Sequence, residues 1–211
     1  MTFTPDQSQL NALKTWNDKG DSIRHATLGL TGEAGELIEL FKKHEYKPGF
    51  DWWNCKHCKT YYKYDDLSQQ VYNWSKCNCK NYTPLILDEL GDFSYYLRIL
   101  AYQKWVSFEE LCLSSSPSKR ITDLYDLLYW LAQLNKGSDR ILNEWVSNGS
   151  LSLGRLSDCV YRFQCILSKL DTPLETVLDL NYKKLNSEAT NHGWRNAKMK
   201  TIDDCPPMNP K

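Results

Sequence analysis

The sequence predicts an all-α protein, a helical bundle interrupted once by a segment of different character. Two observations carry this: apolar residues recur at three- and four-residue spacing over most of the 211 residues, and breakers such as "DKGD", "YKPGF" and "SSSPSKR" fall between those stretches. A third sets the exception apart. From Tyr46 to Tyr82 the chain is crowded with Tyr, Trp and Cys, a composition of short strands and knuckles.

Each element follows from its local signals. "TPDQ" is a capping-type start, and Leu10, Leu13 and Trp16 give a short first helix. A second helix is expected from about His25 to Lys43, with Leu30, Ala34, Leu37 and Phe41 on one stripe. Helix returns at "TPLILDELGDFSYYLRILAYQKW", where Thr83 caps and Pro84 suits the first turn. Three more are expected at about Ile121 to Val146, Leu153 to Leu170 and Pro173 to Ala189, before a draped tail from 193 to 211. The implied organisation is a first helical repeat over 1–44 and 83–113, an insertion over 45–82, and a second, degenerate repeat over 120–192.

Composition narrows the classes of function. Twenty-six basic residues balance 26 acidic ones, which argues against a whole surface that tracks nucleic acid or an anionic membrane. "MTFTPDQSQL" lacks the basic and apolar regions of an export signal, and no apolar run approaches the roughly 20 residues that span a bilayer. The expectation is a soluble cytoplasmic protein with reduced thiols, or one in a host's cytoplasm if a virus encodes it.

Two acidic pairs stand out. Glu33 and Glu36 lie at i, i+3 on the second helix, and Glu89 and Asp92 repeat that spacing on the third. Antiparallel packing of those helices would gather four carboxylates, which either raise their own pKa values or bind a divalent cation. Mg²⁺ takes oxygen ligands at about 2.1 Å and leaves positions for phosphate and water.

"LGLTGEAGELIELFKK" followed by "LDELGDFSYYL" resembles the ExxE and ExxD signature of the all-alpha nucleoside triphosphate pyrophosphohydrolases, the superfamily of MazG, dimeric dUTPases and dCTP pyrophosphatases. The resemblance implies that Glu33, Glu36, Glu89 and Asp92 hold Mg²⁺ against a triphosphate, whose α-phosphorus is attacked by water to give a monophosphate and pyrophosphate. Glu36 is then either the base for that water or a ligand only. The family's NxxK-like element is matched by Asn181 and Lys184, with Lys183 an adjacent alternative. Trp16, with Asn17, His25 and Tyr96, is the candidate surface for the base. A deoxynucleotide such as dGTP, dUTP or dCTP is the expected substrate class, and no residue chooses among them.

Sliding the chain by 66 positions lays Leu87 on Leu153, Leu90 on Leu156, Asp92 on Asp158, Tyr95 on Tyr161 and Glu109 on Glu175. This pattern reads as a decayed duplication, or as the chance likeness of amphipathic helices. Under the duplication reading, Arg155 replaces Glu89, and Ser115 and Ser118 stand where the second repeat has Asn181 and Lys184. One composite site in a single-chain pseudo-dimer would result, similar to the tandem arrangement of some dUTPases in the superfamily.

The family usually leaves a short loop between its acidic pairs, whereas here 52 residues separate Glu36 from Glu89. They contain Cys55 and Cys58 as CxxC and Cys77 and Cys79 as CxC, a spacing that suits a structural Zn²⁺ ribbon, with His57 able to replace one thiolate. Cys112, Cys159, Cys165 and Cys205 lack metal spacing and read as small apolar packing residues. The alternative to an enzyme is a zinc-ribbon module on a helical scaffold, binding a protein or nucleic acid through Lys56, Lys59, Lys63, Lys76 and Lys80. Nucleic acid is the less favoured partner, and homo-oligomer formation is left open.

Overall fold

The computed structural model describes residues 4–16, 22–48, 50, 84–115 and 124–191. All seven regular elements among them are helices: α1 (Pro5–Thr15), α2 (Ser22–Tyr46), α3 (Leu85–Gln103), α4 (Phe108–Ser114), α5 (Leu124–Asn148), α6 (Leu153–Lys169) and α7 (Leu174–Asn191). The chain is therefore all-α over this span. No described helix is long and apolar enough to cross a membrane. The cysteines expected to hold zinc, together with His57, Lys56, Lys59, Lys63, Lys76, Lys80, Asn17, Ser118, Cys205 and the whole tail from 193 to 211, lie outside the described residues.

Helix α3 sits at the centre because its sequence is apolar nearly all round. Ile86, Leu87, Leu90, Phe93, Leu97, Ile99 and Leu100 are all fully buried, and a helix of that kind needs neighbours on every side. It packs against α1, α2, α4, α6 and α7, while α2 also lies on α5 and α5 on α6. Ala26, Leu30, Ala34, Leu37 and Phe41 form the inward stripe of α2, leaving Lys42 and Lys43 exposed. Phe93 stacks on Phe163 with ring centroids 5.8 Å apart, joining α3 to α6.

Helix α1 is fixed at its start and near its middle. Thr4 Oγ1 accepts from the Gln7 amide at 3.2 Å and Gln7 Oε1 accepts from the Thr4 amide at 3.1 Å, a reciprocal capping box. Farther along, buried Gln9 donates to the carbonyls of Arg98 (3.3 Å) and Val106 (3.1 Å) and accepts from the Phe108 amide at 3.1 Å. One side chain thus satisfies backbone groups on both sides of the α3–α4 turn.

The third helix ends at Gln103, two residues before the end of the stretch read as helical, and α4 follows as a separate element that is not among the expected helices. Trp105 adopts φ 57°, the Lys104 amide donates to Leu100 O, and the Val106 amide donates back to Ala101 O at 3.1 Å. Those bonds form a Schellman-type stop without glycine. The same stop recurs after α6, where Asp171 has φ 50°, Leu170 N donates to Ile166 O and Thr172 N to Leu167 O, each at 2.9 Å. Every residue of the second turn lies 66 positions after its counterpart in the first, and α4 and α7 begin at that same offset.

Because Phe163 fills the space between α3 and α6 with no exposed surface, Phe163→Ala should cost about 3–5 kcal/mol. Urea unfolding followed by far-ultraviolet circular dichroism measures this. A loss below about 1 kcal/mol would mean that this contact does not hold the two helices.

Candidate metal centre

Helices α2 and α3 bring three of the four anticipated acids together. Glu33, Glu89 and Asp92 offer one carboxylate oxygen each, all within 4.8 Å of one another. Glu36, one turn beyond Glu33, is exposed and outside that group. It remains near enough for its charge to act on both Glu33 and Glu89.

Such crowding shows in the protonation of the cluster. Burial first, then the charges of Asp92, Glu36 and Glu89, raise Glu33 to a pKa of about 8 despite the opposing charge of Lys184. Glu89 is raised to about 7 by burial, then by Asp88, Asp92 and Glu36. The unliganded cluster therefore keeps protons that isolated carboxylates would have lost at neutral pH.

Helix α7 supplies the counter-charge. Lys184 Nζ makes a short ion pair with Asp92 Oδ2 and lies 3.4 Å from Asp88 Oδ1. Asn181, only 2% exposed, donates from Nδ2 to Asp92 Oδ1 at 3.1 Å and accepts at Oδ1 from the Arg98 guanidinium at 2.5 Å. Gly91 makes room for it, since a Cβ there would stand 3.0 Å from Asn181 Cβ. Asn181 and Lys184 thus reach the site from the second half of the chain, where they engage carboxylates. Lys183 instead pairs with Asp179 on its own helix.

The aromatic group assembles beside the acids. Trp16, buried and donating from Nε1 to Ser22 Oγ at 3.3 Å, has His25 at 4.7 Å and meets Tyr96 edge-on at 6.4 Å between ring centroids. Tyr96 joins the two groups: burial raises its pKa most, followed by the charges of Glu33, Asp92 and Glu36. Its ring lies on the backbone of α2, where a Cβ at Gly29 would be 2.2 Å from Tyr96 Cε1. Only glycine permits that approach.

Two residues of the site escape the sequence reading. Asp88 is 7% exposed and one turn before Asp92, so both face Lys184, yet in sequence it reads as an ordinary first-turn acid. Arg98 is wholly buried, its pKa pulled down to about 10 by that burial, and so it is still cationic at neutral pH. An arginine inside the apolar run "YYLRILAY" was the available signal. Of the cysteines outside the insertion, Cys112, Cys159 and Cys165 are buried free thiols, with Cys112 and Cys159 pushed up to about 12 chiefly by burial.

Glu33 and Glu89 have folded-state pKa values above their reference of 4.5. Their contribution to stability is greatest below that pH and drains away as pH rises through 7 and 8, because the folded chain holds protons that the unfolded chain has released. Discounted for the partial exposure of both groups, the loss between pH 5 and pH 8.5 should be roughly 2 kcal/mol, or about 4–8 °C in Tm. Calorimetry of chelator-treated protein measures it; a Tm that rises over this interval would refute the clustering. Compared with known proteins, the chain matches no family model, no curated protein and no solved structure.

Proposed function

We propose that the chain is a Mg²⁺-dependent nucleotide pyrophosphohydrolase that cleaves a nucleoside triphosphate, of the deoxynucleotide class, to the monophosphate and pyrophosphate. The observation that carries this reading is the cluster of Glu33, Glu89 and Asp92 set next to the Trp16, His25 and Tyr96 rings. A charge-neutralising site beside a flat aromatic one has the two chemistries that a nucleotide presents. The donor set fits a hard divalent ion: oxygens only, from two helices, with the pKa values of Glu33 and Glu89 raised in a way that a cation would reverse.

In this reading Glu33, Glu89 and Asp92 hold the ion, with Glu36 a fourth ligand or the base. When bound, Mg²⁺ supplies neutralisation of the triphosphate's charge. Glu36 is exposed and is thereby free to accept the proton of an attacking water. That water adds to the α-phosphorus, the α–β phosphoanhydride breaks, and pyrophosphate leaves with the bridging oxygen. Lys184 offers a point charge to a phosphate oxygen if it exchanges Asp88 or Asp92 for substrate. Asn181 stays buried and orients Asp92. The aromatic trio holds the base by stacking and edge contact, which discriminates sugar and base only through the groups at its rim.

The two turns related by 66 positions support reading the chain as a fused tandem repeat, with acids kept in one half and Asn181 and Lys184 in the other. We extend the proposal to a structural zinc held by Cys55, Cys58, Cys77 and Cys79. The rival binding module rests on that insertion, whose cysteines and candidate lysines lie outside the described residues.

Pyrophosphate release should be detectable with Mg²⁺ for at least one member of a panel of ribo- and deoxynucleoside triphosphates. Glu33→Gln and Asp92→Asn should each lower kcat/KM by at least about 100-fold, and Glu36→Gln should lower kcat by about 10²–10⁴-fold if it is the base. Absence of turnover across the whole panel would reject the hydrolase. Elemental analysis should independently find one zinc per chain, lost on replacing Cys55 and Cys58 by serine.

A further inference from the structure

We infer that Arg98 is a positioning residue: through the side-chain amide of Asn181 it fixes how Asp92 is presented to the metal centre. The inference rests on the metal-site reading above. Arg98 is 1% exposed, and its hydrogen-bond partners are all neutral. It donates from Nε to Ser94 O at 3.1 Å, from one terminal nitrogen to Ser8 O at 2.9 Å, and from the other to Ser94 Oγ at 3.5 Å and Asn181 Oδ1 at 2.5 Å. A buried cation bonded to no carboxylate is costly unless an anion compensates it at longer range. Asp92 does so across the asparagine.

The polarity of this bridge is forced by its members. A guanidinium can only donate and an ionised carboxylate can only accept, so an amide between them has its oxygen toward Arg98 and its NH₂ toward Asp92. Asn181 therefore has one orientation, and Asp92 Oδ1 receives a fixed donor at 3.1 Å. Without the guanidinium, Asn181 Oδ1 would be a buried acceptor stripped of its 2.5 Å donor, and the amide would lose the partner that holds its NH₂ in place against Asp92.

The second half of the chain shows the contrast. Asp158, which corresponds to Asp92, is instead clamped by Arg162 from its own helix, Nε to Oδ2 at 3.1 Å and a terminal nitrogen to Oδ2 at 2.9 Å. At the position of Arg98 stands Gln164, which donates to Cys112 O at 2.9 Å. Arg162 also donates to Gln133 Oε1 at 2.5 Å, but it holds its aspartate directly, whereas Arg98 reaches Asp92 through a neutral side chain.

Mn²⁺ is the probe, and its binding to the full chain is read from the free-ion electron paramagnetic resonance signal, without turnover. Arg98→Gln should weaken Mn²⁺ about tenfold, Asn181→Ala by a similar factor, and the double variant no more than either alone. An unchanged Kd in Arg98→Gln, or fully additive losses, would overturn the inference and leave Arg98 as a packing residue. Should Arg98→Gln fail to fold, the wild-type chain labelled with ¹⁵N-asparagine decides: slowly exchanging Asn181 side-chain protons support the bridge, and random-coil shifts with fast exchange overturn it. Wild-type protein that binds Mn²⁺ with this coupling yet hydrolyses no nucleotide would reject the hydrolase and leave the role of Arg98 standing. No Mn²⁺ binding by the wild type would overturn both.

Discussion

Everything at the centre of this molecule depends on a balance of charge between helices that could not otherwise touch. The inward faces of α2 and α3 carry Glu33, Asp88, Glu89 and Asp92 in a space with limited water, where like charges repel more strongly than at a surface. Two responses keep the helices in contact: protons retained on Glu33 and Glu89, and Lys184 and Asn181 delivered by α7. Packing alone favours the approach. The apolar stripes of α2 and α3 bury Leu30, Leu37, Ile86, Leu90 and Leu97 completely, and the acids come along as part of the same surfaces.

The convergence was legible in the sequence because its causes are local. Two acid pairs at one helical spacing, each on a helix with an apolar stripe, have few ways to pack that do not bring them together. The nearness of Trp16, His25 and Tyr96 was legible more weakly, through the resemblance alone. What lies behind the acids was not legible. Arg98 finds oxygens from α1, α3 and α7, and no periodicity reports which helices will cross at its guanidinium. Asp88 was hidden by its neighbour, since "DEL" in a first turn has a sufficient local explanation in the helix dipole.

That α4 is a helix of its own escapes the sequence reading for a different reason. The break between α3 and α4 is made at Trp105, a bulky residue in a conformation for which one would look to glycine. The signal that did exist lay just downstream: Ser107 Oγ accepts from Glu110 N at 3.1 Å and Asp6 Oδ1 accepts from Ser107 Oγ at 2.6 Å and from Glu109 N at 3.0 Å. A Ser-x-x-Glu start is readable, but the tie to α1 that makes it decisive spans about a hundred residues. The start of α2 differs from expectation by three residues, at Ser22, which is the ordinary softness of helix ends, and the start expected for α5 lies outside the described residues.

The anions belong to α2 and α3 and their counter-ions to α7, so neither half of the polypeptide is self-sufficient. A nascent chain that has emerged only through α4 carries Asp88 and Asp92 without Lys184, the cation that pairs with both in the finished fold. The same dependence would tether the two halves in descent, because drift in either would leave the other with a charge it could not hide.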